Sequence, residues 1–277
     1  MVKTVNKKQI EQRIRERLAY YQEHYNNEWV GIFLQGSQNY GLDTEGSDVD
    51  TKIIVLPRFE DIVLNKKPVS ATLVLPNNEH CDVKDIRLMF DCFRKQNVNF
   101  LEILFTEYKV MNQRYADLFK PMFTHNEMIA RYDSCAVINC MCGMVREKHK
   151  SMTHPTPATE EVIKKYGYNG KDLCHMWRIA DFAERFYGRT SNSFVEAFSS
   201  CLKPESKEQH EAYMNAKQNN YVLEYVVELA DSIDKNAKKF RERYMDSREN
   251  FRSPYADTVM NRVLMDIMTK SIKRQLE

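Results

Sequence analysis

The sequence predicts an α+β protein: a small mixed β-sheet with flanking helices, followed by an all-helical domain. Runs of β-branched and aromatic residues separated by turn residues are confined to residues 29 to about 85. The segments on either side of that interval carry helical periodicity instead. With 277 residues, 43% of them hydrophobic, and only 8 glycines and 8 prolines, the chain has core enough for two modest domains and little flexible linker.

The elements follow in order. Residues 4 to 26 read as an amphipathic helix with Ile10, Ile14, Leu18 and Tyr21 on one stripe. Trp29-Val30-Gly31-Ile32-Phe33-Leu34 is a buried strand that enters a turn at Gly36. A second strand carries Asp48 and Asp50, continues through Thr51-Lys52-Ile53-Ile54-Val55-Leu56 and stops at Pro57. Ala71 to Leu75 forms a third, and Pro76-Asn77-Asn78 supplies the hairpin turn to a returning strand through Glu79-His80-Cys81-Asp82-Val83-Lys84. Ile86, Met89, Phe90 and Phe93 open a helix that Asp85 caps. Beyond it the pattern is helical, broken at Pro121, at His154-Pro155-Thr156-Pro157, at Gly167 to Gly170 and at Ser253-Pro254. From Asn220 to about Tyr244, the residues Val222, Tyr225, Val226, Leu229, Ile233 and Ala237 form a core-facing helical stripe. A boundary near residue 112 divides a first domain, 1–112, from a helical domain, 113–277.

Composition narrows the function classes. The net charge of +2 gives no independent sign of a nucleic-acid partner, and the basic residues between Lys235 and Arg243 read as a solvated helix face. The 15 tyrosines and 14 phenylalanines are mostly core. Met1 to Lys8 lacks an apolar signal core and no run is long enough to span a bilayer, so the expectation is a cytoplasmic protein with no membrane partner. Seven cysteines give no disulfide framework, and Cys135, Cys140 and Cys142 read as helical thiols rather than a zinc site. P-loop, dinucleotide-fold and kinase signatures are absent from the sequence.

The chemistry concentrates around Gly36-Ser37 and Ser47-Asp48-Val49-Asp50. Alternation along a strand aims Asp48 and Asp50 the same way, two rises of about 3.3 Å apart. Like charges so placed raise each other's pKa, and a divalent cation removes that cost. Paired ions sit about 3.5–4 Å apart, within reach of carboxylates at this spacing. A third acid completes such a site, and Asp82 on the returning strand supplies it; Asp85, its rival, is better explained as a cap. Further along, Lys171, His175 and Arg178 fall on one helical face after Asn169-Gly170, a set suited to clamping a polyphosphate. Taken alone, the plainer reading of that set is a solvated basic face.

These motifs resemble the signature of the DNA polymerase β superfamily of nucleotidyltransferases. A bacterial and phage group within it is more similar still: it has a Gly-Ser-x-x-Tyr-Gly turn, here Gly36-Ser37-Gln38-Asn39-Tyr40-Gly41. Its Asn-Pro-Asn-x-x-Glu segment appears as Asn97-Val98-Asn99-Phe100-Leu101-Glu102, with Val98 where proline is usual. Its Lys-x-x-x-His-x-x-Arg stretch after Tyr-Gly-Tyr appears as Lys171, His175 and Arg178 after Tyr166-Gly167-Tyr168, which reverses the preference for a bland basic face. The resemblance covers roughly residues 29 to 190.

What the resemblance implies is a palm-like catalytic domain in which Gly36, Ser37, Tyr40, Ser47, Lys171, His175 and Arg178 bind an NTP, ATP first. Asp48, Asp50 and Asp82 then hold two Mg²⁺ or Mn²⁺ ions and carry the catalysis. The expected reaction moves a nucleoside monophosphate to an acceptor hydroxyl and releases pyrophosphate. An RNA 3′ end ranks first as acceptor, a protein or small molecule next. Two rivals stand beside it: a non-catalytic nucleotide-binding protein of the same fold, as in a toxin–antitoxin or phage-defence pair, and a metal-dependent phosphohydrolase. The acids themselves argue against the first, and His80 as the lone histidine near them argues against the second.

Overall fold

A computed structural model describes residues 7–44, 47–76, 79–191, 196–247 and 252–277. The chain packs as two compact units, Met1–Tyr132 together with Arg252–Glu277, and Asp133–Phe251.

The first unit is built on a five-stranded mixed sheet. The helix α1 (Lys7–His24) precedes β1 (Trp29–Leu34), the short helix α2 (Ser37–Tyr40) and β2 (Thr51–Val55). Then come α3 (Phe59–Val63), β3 (Ser70–Val74), β4 (His80–Asp85), α4 (Ile86–Arg94), α5 (Val98–Leu101) and β5 (Lys109–Met111), followed by α6 (Gln113–Thr124) and α7 (Asn126–Ala130). The strand order is β3-β4-β2-β1-β5. Only β2 and β4 run parallel; every other neighbouring pair is antiparallel.

Strand alternation sorts the residues between two faces. On one face, Ile32, Leu34, Val49, Ile53, Val55, Cys81 and Val83 bury against Ile10, Ile14, Leu18 and Tyr21, the expected stripe of α1. On the other, Phe33 packs on Phe119 at 6.1 Å between ring centroids. Lys52 projects on that second face and is buried. Apart from the start of β2, the expected positions of α1 and of the strands up to β4 agree closely with these elements; residues 4–6 of the helix and Asn77 and Asn78 of the hairpin turn lie outside the described residues.

The second unit is helical: α8 (Ser134–Ser151), α9 (Glu160–Tyr166), α10 (Gly170–Ser191), α11 (Ala197–Cys201), α12 (Lys207–Lys217) and α13 (Leu223–Ser247). Here α10 packs against α8, α11, α12 and α13. Cys135 and Cys142 are buried on α8 and Cys140 is half-buried. The chain then returns to the first unit as α14 (Pro254–Leu276), capped by the Ser253 hydroxyl.

Four expectations differ from the structure. The packing divides the chain at residue 132 instead of near 112, because α14 packs on α4, α6 and α7. Glu28, just before β1, fastens that return: it accepts hydrogen bonds from Arg114, Arg274, Tyr115 and Ser271. The strand β5 is three residues long and carried no period to read. Pro121 lies inside α6 and does not break it. In α13 the buried stripe is Val226, Ala230, Ile233, Ala237, Phe240 and Tyr244, while Val222 and Tyr225 are exposed.

Candidate active site

The site begins where β1 ends. Gly36 has φ 85° and ψ −150°, a combination essentially restricted to glycine. It lets the chain reverse at once into α2, which Gly41 ends in the left-handed region at φ 68°. The turn is tied from several sides. The Asn39 amide donates to the Leu34 carbonyl at 3.0 Å, and its carbonyl accepts the Thr106 hydroxyl at 2.7 Å. The Gly36 N–H donates to Glu102 Oε1 at 3.2 Å. Tyr40 is buried and so serves the core of the turn; the Ser47 hydroxyl accepts the Thr44 N–H at 2.8 Å.

Asp48 and Asp50 lie on the extended lead-in to β2, which begins only at Thr51. The strand that sequence alternation extends back over both acids is therefore shorter, although the alternation itself persists: Asp48 and Asp50 are exposed and Val49 between them is buried. Backbone contacts hold the lead-in to the turn. The Gln35 N–H donates to the Asp50 carbonyl at 2.9 Å, and the Gln38 amide donates to the Asp48 carbonyl at 2.7 Å. The Asp50 carboxylate reaches over Gly36, with Oδ2 3.4 Å from where a Cβ on that residue would stand.

Asp82 lies on β4 in register with Lys52 of β2 and Thr72 of β3. Its Oδ1 accepts the Thr72 hydroxyl at 3.0 Å and lies 4.0 Å from the Lys84 ammonium. Among the described residues no three His, Cys, Asp or Glu side chains converge closely enough to hold a metal ion. Asp82 thus lies on the sheet next to the strand that Asp48 and Asp50 lead into, without forming a three-acid group with them. Asp85 is the cap expected of it, accepting the Arg87 N–H at 2.8 Å and pairing with the Arg87 guanidinium.

Two buried cations underlie this region. Lys52 Nζ donates to Gln35 Oε1 at 2.7 Å and to the Asn99 carbonyl at 3.3 Å, and stands 4.0 Å over the centre of the Phe100 ring. Burial pushes its pKa down to about 8, with Asp82 pulling the other way. Arg17 on α1 is buried too; burial lowers its pKa, opposed by Glu79, which it meets at 2.6 Å, and more weakly by Asp50. A cavity of about 510 Å³ in the same unit lies at the other end of β1 and β2, beside Glu28, Leu56 and Arg58, and includes none of the three acids.

Lys171, His175 and Arg178 belong to the second unit, on α10. Lys171 is exposed and Arg178 buried, so the stripe is neither a solvated face nor an open clamp. The His175 Nε2 is buried without a hydrogen-bond partner. Burial, together with the Arg178 and Lys148 charges, pushes its pKa down to about 3. His175 is therefore neutral when folded, while an unfolded chain protonates it below about pH 6.5. Stability falls as pH drops through that window, by about 2 kcal/mol between pH 7 and pH 5. Urea denaturation at the two pH values checks this: His175→Gln should flatten the loss, and an equal loss in both proteins would contradict it.

Residue reasoning overlooked the supports of the turn: Gln35, Asn39, Lys52, Glu102 and Thr106. A lysine inside an apolar strand was the readable signal for Lys52, and Glu102 ends the Asn97 to Glu102 segment. That segment keeps its turn without proline. Asn97 caps α5 by accepting the Asn99 N–H, and Val98 takes the first helical position, where proline is favoured but not required.

The chain matches the RNA repair pathway DNA polymerase beta family over residues 10–181, a span that includes the Gly36-Ser37 turn, the three acids and the Lys171, His175 and Arg178 set. No curated protein matches it. Among solved structures, a nucleotidyltransferase-like protein from Exiguobacterium sibiricum is similar over 95% of this chain and 89% of that one, at 9% identity and a TM-score of 0.30, a likeness too low to carry an argument. No helix among the described residues is long and apolar enough to cross a membrane. Matched over more than half of its length, the chain belongs to the RNA repair pathway DNA polymerase beta family.

Proposed function

We propose that this protein transfers a nucleoside monophosphate from an NTP, ATP first, to an acceptor hydroxyl, releasing pyrophosphate. One observation carries the reading: the Asp50 carboxylate lies against a glycine-only turn, so a carboxylate and a phosphate-binding backbone meet at one point. Gly36 gives its N–H to Glu102, which leaves Ser37, through its hydroxyl and N–H, as the residue that receives phosphate oxygens. Asp48 and Asp50 are exposed carboxylates on the same side of one extended segment, a donor set suited to a hard divalent cation. Mg²⁺ or Mn²⁺ held there would neutralise triphosphate charge and favour in-line attack at the α-phosphorus. Lys171, the exposed member of its set, is assigned to the polyphosphate on the strength of the resemblance.

The family's description places its members in RNA repair, which supports an RNA 3′ end as the first acceptor to try, ahead of protein or small-molecule hydroxyls. The test incubates each α-³²P-labelled NTP and Mg²⁺ or Mn²⁺ with cellular RNA and lysate protein. Label on an RNA band with wild type, absent when Asp48 and Asp50 are both replaced by alanine, supports the proposal. Label on protein moves the acceptor. Nucleotide bound with no label on any band favours the non-catalytic reading.

A further inference from the structure

We propose that the three acids divide their work: Asp48 and Asp50 take a single divalent cation, while Asp82 is compensated by two lysines of the chain, Lys52 and Lys84. The inference rests on the nucleotidyltransferase reading and narrows it, because three acids holding two ions is what the resemblance implies.

The sheet register carries the argument. Residues paired across neighbouring strands project to the same face, so Lys52 and Asp82 face the same way, as does Lys84 two residues further along β4. Lys84 Nζ is 4.0 Å from Asp82 Oδ1 and donates to the Ser70 hydroxyl at 3.0 Å. The same Asp82 oxygen already accepts the Thr72 hydroxyl. A carboxylate with one ammonium group 4.0 Å away and a buried lysine as its cross-strand neighbour has less need of a divalent ion, and that positive charge repels one.

Lys52 cannot swing aside cheaply. Its ammonium is anchored on Gln35 and Asn99 and covered by the Phe100 ring, and the residue is 3% exposed. A positive charge is therefore built into the sheet beside Asp82. Asp48 and Asp50 stand differently: both are exposed, and Arg17, the buried cation that interacts with Asp50, has its stronger partner in Glu79. Asp82 is also set apart in position, on the neighbouring strand opposite Lys52, two residues beyond Asp50.

The ions bound per chain decide the matter, measured by equilibrium dialysis against Mn²⁺ with α,β-methylene-ATP present and a protein-free arm subtracted. Wild type should hold one ion, Asp82→Asn should hold one with affinity within about threefold, and Asp48→Asn should hold none. Lys52→Met, confirmed folded by circular dichroism, should raise the count to two, which a merely structural lysine would not do. Two ions on wild type, or an ion lost in Asp82→Asn, overturns the inference even if Lys52→Met fails to fold. Two ions with labelled transfer intact removes this inference alone. No ion and no label on wild type removes the nucleotidyltransferase reading along with it.

Discussion

Replacing Asp48 and Asp50 together by alanine will abolish metal-dependent NTP turnover while leaving the fold intact. Both side chains are exposed and neither supports the core, which is held by Val49 between them. Their backbones keep the contacts to Gln35 and Gln38, because those bonds use carbonyl groups that alanine retains. Stability should change by less than about 0.5 kcal/mol, as for most exposed substitutions, and should shift upward if repulsion between the two carboxylates dominates. Activity has no such cushion. Without the carboxylates nothing on that segment gathers positive charge against a triphosphate, and a loss of about a thousandfold corresponds to about 4 kcal/mol of transition-state stabilisation. Pyrophosphate release, followed beside thermal melting, separates the two effects. Retained turnover in a folded double variant would remove the site from these residues.

How much of this was legible depends on whether the information is local. The strand β1, the turn entered at Gly36 and the cap of α4 at Asp85 follow from residue type and short-range sterics, and the structure agrees with them. Alternation of Asp48, Val49 and Asp50 was readable too, because a period of two needs only neighbours. The relation of Asp82 to Lys52 was not, because register between strands separated by a helix and a hairpin is a tertiary choice. The Glu102 contact to Gly36 spans 66 residues and is equally invisible locally. Helix α14 illustrates the same limit at larger scale. Its pattern is plainly helical, yet its packing on α4, α6 and α7 and the Glu28 network, to which Arg274 and Ser271 contribute, are what show that it belongs with the sheet. The burial of Arg178 likewise escaped a reading based on helical spacing, which says that residues share a face without saying whether that face is covered.

The turn offers the sharpest separation of backbone strain from chemistry. Gly36→Ala should destabilise the protein by about 1–3 kcal/mol, the cost of forcing a side chain into a region that only glycine visits readily. The new Cβ would also stand 3.4 Å from Asp50 Oδ2, an ordinary van der Waals contact with the very group proposed to carry charge. Relief of the backbone strain shifts the turn and the Gly36 N–H that bonds Glu102, so nucleotide affinity should fall about tenfold, about 1.4 kcal/mol. Gly41 is the control. It has φ 68° and ψ 27°, a left-handed conformation that asparagine tolerates, and a Cβ there meets nothing within 4 Å. Gly41→Asn should therefore cost little stability and leave nucleotide binding unchanged, whereas Gly36→Asn should fail as Gly36→Ala does, because asparagine has no access to ψ −150° at positive φ. Thermal melting and titration with a fluorescent ATP analogue read both quantities on the same samples. Equal behaviour of the two positions would mean that the turn contributes only a reversal of the chain, and that the contact between Asp50 and Gly36 has no part in binding.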